Sequence, residues 1–147
     1  MMHVAIVDHA IDAAALLRRA GTGADGACVL FLGTVRDHHE GRRVQALEYE
    51  AYPSMAERML RGIAEDAARE HRVSAIAIEH RVGRLAVGET SVAVAVWAPH
   101  RDAAYRASRA ILERLKREAP IWKREVYAEG GSAWLGGPPP APEGSAV

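Results

Sequence analysis

Two lysines, Lys116 and Lys123, stand beside seventeen arginines in a chain of 147 residues, and they flank the segment Pro120-Ile121-Trp122. A chain that meets its general need for positive charge with arginine has reason to keep lysine where an amine is needed. The ammonium group is compact, gives up its proton readily on burial, and can then act as base or nucleophile; a guanidinium cannot. Taken alone, the pair also fits two surface charges at the end of a helix. The lysines by themselves leave both readings open.

Other cations fall where elements are predicted to end. Arg36 closes the apolar run Val29–Val35, so its side chain emerges at the rim of the core. His100 and Arg101 follow Pro99 and open a predicted helix, where free backbone N–H groups and the helix dipole favour an anion. Lys116 lies on the last turn of that helix, and Lys123 and Arg124 on the strand that follows. Fifteen residues separate Arg101 from Lys116, about 22 Å along a helix axis. A small ligand cannot touch both ends of such a helix. Either the ligand is extended, or a second copy of the chain brings its helix start to this helix end.

Several chemistries find little support. No Cys/His spacing suggests a metal site, and His38-His39 reads as a solvated pair on a flexible loop. His80, among charged neighbours, reads as structural. Gly21-Thr22-Gly23 lacks a third glycine, and no Gly-Lys-Ser/Thr follows a strand, which argues against a nucleotide fold. Cys28, inside the apolar run Ala27–Leu32, reads as a small buried hydrophobe. Trp97, Trp122 and Trp134 read as core, with Trp122 also able to wall a pocket for a flat heterocycle. The formal net charge is zero, so no global field draws the chain to nucleic acid or an anionic membrane. One cysteine excludes an internal disulfide and points to a reducing cytoplasm. The first twenty residues carry Asp8 and His9 within an apolar stretch and read as a strand and a helix, not a signal peptide. No apolar run reaches membrane-spanning length.

The elements that must position these groups follow from periodicity. Strands are expected at His3–Val7, Gly26–Arg36 (continuously apolar and therefore central), Val44–Tyr52, Val73–Val82, Thr90–Ala98 and Ile121–Ala128. Ser132–Leu135 is the expected hairpin partner of the last. Asp12–Ala20 predicts a short helix. Two long helices are expected, one opened by Pro53-Ser54 and running to about His71, the other from His100 to Ala119, stopped by Pro120. The polar stretch Asp37–Arg43 reads as a mobile loop, and Gly83 and Gly88 bracket a turn. The sum is an α+β domain over residues 1–135 with a mixed or antiparallel sheet, followed by a Pro/Gly-rich tail at 136–147.

Set against these residues, the sequence resembles the catalytic (large) subunit of molybdopterin synthase. The matching stretches are Phe31–Arg36, Leu47–Pro53, His80–Leu85, Gly88-Glu89, His100-Arg101 and Leu115–Glu125, with Gly130 and Trp134 continuing the pattern. The resemblance implies an α/β-hammerhead-like fold and a sulfurtransferase. It implies that a small ubiquitin-like partner, bearing a thiocarboxylate on its C-terminal Gly-Gly, delivers two sulfurs in turn to a cyclic pyranopterin monophosphate. It further implies a homodimer with one small subunit at each end, a heterotetramer, and no cofactor or metal. Carried over by motif, Lys116 and Lys123 would be catalytic, and the substrate pocket would comprise Thr34, Val35, Arg36, His100, Arg101, Lys116, Lys123, Arg124 and Glu125. One departure is visible: nothing after Arg124 is basic, so a C-terminal contribution to a neighbouring site is in doubt. The competing reading is a non-catalytic module that binds a ubiquitin-like tail or an anionic ligand. A binder should tolerate Lys→Arg at both positions; an amine-dependent enzyme should not.

Overall fold

The computed structural model describes residues 1–135; the expected tail lies outside them. Along the chain run β1 (Met2–Val7), α1 (Ala13–Leu17), β2 (Ala27–Thr34), β3 (His38–His39), β4 (Arg42–Ala51), α2 (Pro53–His71), β5 (Ala75–Arg81), β6 (Gly83–Ala86), β7 (Thr90–Ala98), α3 (Arg101–Glu118), β8 (Ile121–Tyr127) and β9 (Ser132–Leu135).

Four strands form the first sheet in the order β1-β5-β7-β2, with β1 parallel to β5 and the other pairs antiparallel. Alternation along β5 and β7 sorts their side chains. Ile76, Ile78, Val94 and Val96 face α2 and α3 and join Leu60, Ile63 and Ile111 in the main core. Ala75, Ala77, Ala93 and Ala95 face the other way, where Leu16 of the short α1 and Trp97 cover them. Small residues suit that face because one helix turn and one indole have to close it. Burial of each Ile or Val in the main core stabilises the fold by roughly 1.5–3 kcal/mol, and truncating one to Ala would cost about 2–5 kcal/mol. Asp12 caps α1 by accepting from the Ala15 N–H at 3.0 Å. Pro53 begins α2 with a fixed φ, and Arg72 ends it in the left-handed conformation.

The second sheet is built around the ten-residue β4, which pairs antiparallel with β8, with β6 and with β3; β9 extends it beyond β8. α3 passes into β8 through Ala119-Pro120 alone, so the last helical turn and the new strand lie side by side.

The α+β class, the mixed sheet and the two long helices agree with the sequence reading. Three expectations need correction. The strand after Gly26 is an edge strand, not a central one: among the described residues β2 pairs only with β7, and Cys28, Leu32 and Thr34 are exposed. The uninterrupted apolar run that marks a doubly covered strand belongs to β7, buried on both faces from Ser91 to Ala98. Cys28 is accordingly exposed, not buried. Finally, residues 37–43 are not a loose loop. His38-His39 pairs with Arg42-Arg43 around Glu40 and Gly41, whose φ values of 48° and 79° make the two-residue turn that matches strand twist. The expected turn after Gly83 also holds a short strand, β6.

Candidate active site

A cavity of about 380 Å³ opens where the two sheets meet the C-terminal end of α3. Phe31, Gly33 and Thr34 reach it from β2, Tyr49 from β4, His80 from β5, and Ser91 from β7. Lys116 comes from the last turn of α3 and Lys123 from β8. The two-residue connection explains the spacing of the lysines. Leu115 and Ile121 bury themselves on either side of the Ala119-Pro120 corner, which leaves Lys116 and Lys123 at the same opening. Lys123 is half-buried, and that burial pushes its amine below the ordinary lysine value; the Lys116 charge pushes the same way, Glu125 opposes it, and Arg36 adds a smaller push down. Arg36, Lys116 and Lys123 therefore form one cationic group.

Strand alternation divides the remaining predicted residues. Glu125 lies on the Lys123 face of β8, buried, and accepts from His39 Nδ1 and from the Tyr127 hydroxyl, each at 3.0 Å. His39 is thus a partner of Glu125 and not a solvated residue; His38 is exposed and pairs with Asp37 at 2.7 Å. Arg124 and Trp122 point to the opposite face. Arg124 bonds to Glu48, which also holds Arg84 at 3.0 Å, and it stacks over Trp134 at 5.7 Å. Trp122 packs edge-on against Tyr52 and does not line the cavity. Val35 is buried with Leu47 and Leu85, and its backbone bonds to Glu89 and Gly88, so it sets the positions of Thr34 and Arg36 on either side. His100 and Arg101 lie exposed at the far end of α3, away from the cavity of their own chain.

Three groups at the cavity were not anticipated from the sequence. His80 shares a face of β5 with Ile76 and Ile78, so alternation alone could have turned it inward. Burial holds its ring at a pKa of about 4, and it therefore stays neutral near pH 7. Tyr49 sits beside it, edge to face at 5.0 Å, directly across from Lys123 in the β4–β8 register. Ser91 owes its place to a β-bulge: Gly33 pairs with Val92 and Thr34 with Thr90, which leaves Ser91 as the extra residue. Gly33 is required there, since a Cβ on it would stand 2.8 Å from Val92 Cγ1. A bulge leaves no mark in periodicity. Among the described residues no cluster of three or more His, Cys, Asp or Glu side chains could hold a metal ion.

The comparisons with known proteins meet this geometry. The model of the MoaE protein family matches residues 6–118. The chain belongs to the MoaE family. Its similarity to a molybdopterin synthase catalytic subunit of Aspergillus niger is 42% identity over 132 residues, covering 90% of this chain and 73% of that one. Among solved structures, molybdopterin synthase from Staphylococcus aureus superposes with a TM-score of 0.85 at 37% identity, covering 90% of this chain and 96% of that one. A complex of subunits 1 and 2 of the molybdopterin-converting factor from Helicobacter pylori shares the fold at 22% identity, with a TM-score of 0.71 and coverage of 90% and 88%. This MoaE-family chain is thus an enzyme of molybdenum-cofactor biosynthesis, a molybdopterin synthase catalytic subunit with the mixed α+β architecture of its relatives. No helix among its described residues is long and apolar enough to cross a membrane.

Proposed function

We propose that the cavity is a sulfur-transfer site, in which the thiocarboxylate of a small ubiquitin-like partner gives its sulfur to a cyclic pyranopterin monophosphate. The observation that carries this reading is the convergence of the chain's only two lysines at one cavity that has an apolar wall and a neutral interior, with the Arg36 charge close enough to act on Lys123. A flat phosphorylated heterocycle needs that combination: local cations, a cleft of a few hundred Å³, and no net positive charge on the protein. Sulfur transfer from an acyl group also develops charge on oxygen and moves protons. An ammonium at Lys116 stabilises the first, and the down-shifted amine of Lys123 serves the second. Cys28 has no part, since the sulfur arrives on the partner. Thr34 lines the cavity beside the lysines, and the Glu125 charge favours the protonated form of Lys123.

The same reading assigns His100 and Arg101 to the substrate's phosphate, supplied by a second copy of the chain. Their separation from Lys116 along α3, about 22 Å, leaves no other route to one small ligand. A homodimer carrying a small subunit at each end, working in the cytoplasm, completes the proposal. Turnover is expected with thiocarboxylated partner and none with its plain carboxylate. Equal product from both would overturn the reading. The alternative, a binding module without chemistry, is favoured if Lys116→Arg and Lys123→Arg both keep full activity.

A further inference from the structure

Among the described residues, Glu125 is the carboxylate whose charge reaches Lys123, yet no hydrogen bond or ion pair joins the two. The strand does not forbid one. Lys123 and Glu125 share a face of β8 roughly 6.7 Å apart, a span that a lysine and a glutamate side chain together can bridge. The Glu125 carboxylate is turned elsewhere. His39 Nδ1 and the Tyr127 hydroxyl both donate to its Oε1, each at 3.0 Å. A carboxylate only accepts, so the His39 proton sits on Nδ1. Both donors are anchored. The Arg42 guanidinium lies 3.5 Å over the Tyr127 ring while its Nε donates to Glu129 at 2.8 Å, and Arg42 pairs with His39 in the β3–β4 hairpin. Burial, the bond to Glu125 and the Glu125 charge push the Tyr127 hydroxyl above the ordinary tyrosine value, so it remains a donor at alkaline pH.

We propose that His39 and Tyr127 are positioning residues: they hold the buried Glu125 carboxylate off Lys123, so the lysine amine stays unpaired at the cavity. This rests on the sulfur-transfer reading, in which Lys123 moves a proton, and adds the residues that keep that proton mobile. The physical reason is burial. Glu125 is 6% exposed, and a buried carboxylate stripped of its donors must find another partner. The cation on its own strand face is Lys123. Contact there would favour the charged amine and fix its proton. The other groups around the amine give it no such partner. Lys116 of α3 and Arg36 after β2 repel it, and His80 of β5 is neutral near pH 7. Tyr49 of β4, opposite it in register, is also neutral, its hydroxyl pushed up by burial. On the hairpin, Glu40 Oε1 lies 3.9 Å from the other ring nitrogen of His39.

The chain holds two lysines, so isotope labelling of lysine side chains in the full-length protein gives two NMR signals, assigned with Lys116→Arg. His39→Ala removes one donor to Glu125. Tyr127→Phe removes the other and keeps the ring under Arg42. Each should raise the titration midpoint of Lys123, and the double variant should raise it by at least about one pH unit, as an opposite charge in contact does. The pH–rate profile of the assembled enzyme should move up by the same amount. His39→Asn, which keeps an N–H where Nδ1 stands, should leave the midpoint near the wild-type value. If the double variant does not fold, the single variants decide by the same sign. A midpoint unchanged or lowered in the folded variants would overturn the proposal, as would a His39→Asn midpoint as high as that of His39→Ala. A midpoint that rises while the pH–rate profile stays in place would support the restraint on Glu125 and overturn the proton-moving role of Lys123 in the sulfur-transfer reading.

Discussion

The two ends of α3 carry the same sign of charge and are built differently. At its C-terminal end, Lys116 and Lys123 line a cavity, with the Arg36 charge acting on Lys123, and burial lowers the pKa of the Lys123 amine. At its N-terminal end, His100 and Arg101 lie in the open, next to an Asp102–Arg106 pair at 2.9 Å that is itself fully on the surface. One end has a chamber; the other has cations without one. Charge at a surface position is worth little by itself, because water and salt screen it. On the proposed reading the second end does its work only when the cavity mouth of a second copy closes over it.

The largest effect should come from the end that has the chamber. Lys116→Arg and Lys123→Arg keep the charge and remove the amine, so steady-state turnover should fall at least about 100-fold, the usual range for lost acid–base catalysis, while partner binding by calorimetry persists. If Arg101 holds the substrate's phosphate as proposed, Arg101→Ala removes a charged contact and no chemistry. In the assembled enzyme it should raise KM by roughly 10- to 100-fold, as expected for one hydrogen bond to a charged group, with kcat changed far less. Equal loss of kcat in all three variants would erase the distinction between the two ends.

Titration sharpens the picture further. The folded pKa of His80 is about 4 against an ordinary histidine value of 6.5, so the unfolded chain binds the extra proton in that window. Stability contributed by neutral His80 is complete above pH 6.5 and is lost as pH falls toward 4, by about 3 kcal/mol in all. Denaturant melts of the wild type should show this acid limb, and His80→Asn should flatten it. The Lys123 amine is also lowered, so folding carries a penalty for its charged form at neutral pH, and that penalty lifts as pH rises from its folded pKa toward 10.5. Lys123→Met should therefore raise the melting temperature at pH 7, with the gain vanishing above pH 10. The smallest effect is expected on the reverse face of β8. Arg124→Ala breaks a half-buried arrangement with Glu48 and Trp134 on the face away from the cavity, and should change activity less than about fivefold.

The sequence announced the chamber through a count, two lysines, and through the proline that stops α3. Both long helices and the final hairpin were legible because their apolar periods are long and their ends are marked by Pro53, Pro120 and Gly130-Gly131. The edge position of β2 was not, because an apolar edge strand and an apolar central strand read alike along the chain. The shared motifs also mixed two kinds of residue. Arg81 and Glu89 bridge at 2.7 Å across the β6 turn, and Glu48 gathers Arg84 and Arg124, so these positions hold the scaffold around the cavity. Lys116, Lys123 and Thr34 line it. Only the facing of each strand separates the two kinds, and at Ser91 a bulge sets that facing.

The claim that the two ends of α3 make one site is tested most directly by a mixed dimer of an Arg101→Ala chain with a Lys116→Ala chain, assayed at substrate well below the raised KM of Arg101→Ala, where each variant alone turns over slowly. If the pocket is shared, one of the two sites in the mixed dimer regains both residues, and about half of the normal activity per dimer should return. If the subunits demonstrably exchange and no activity returns, Arg101 and Lys116 act within one chain, and the shared site is wrong.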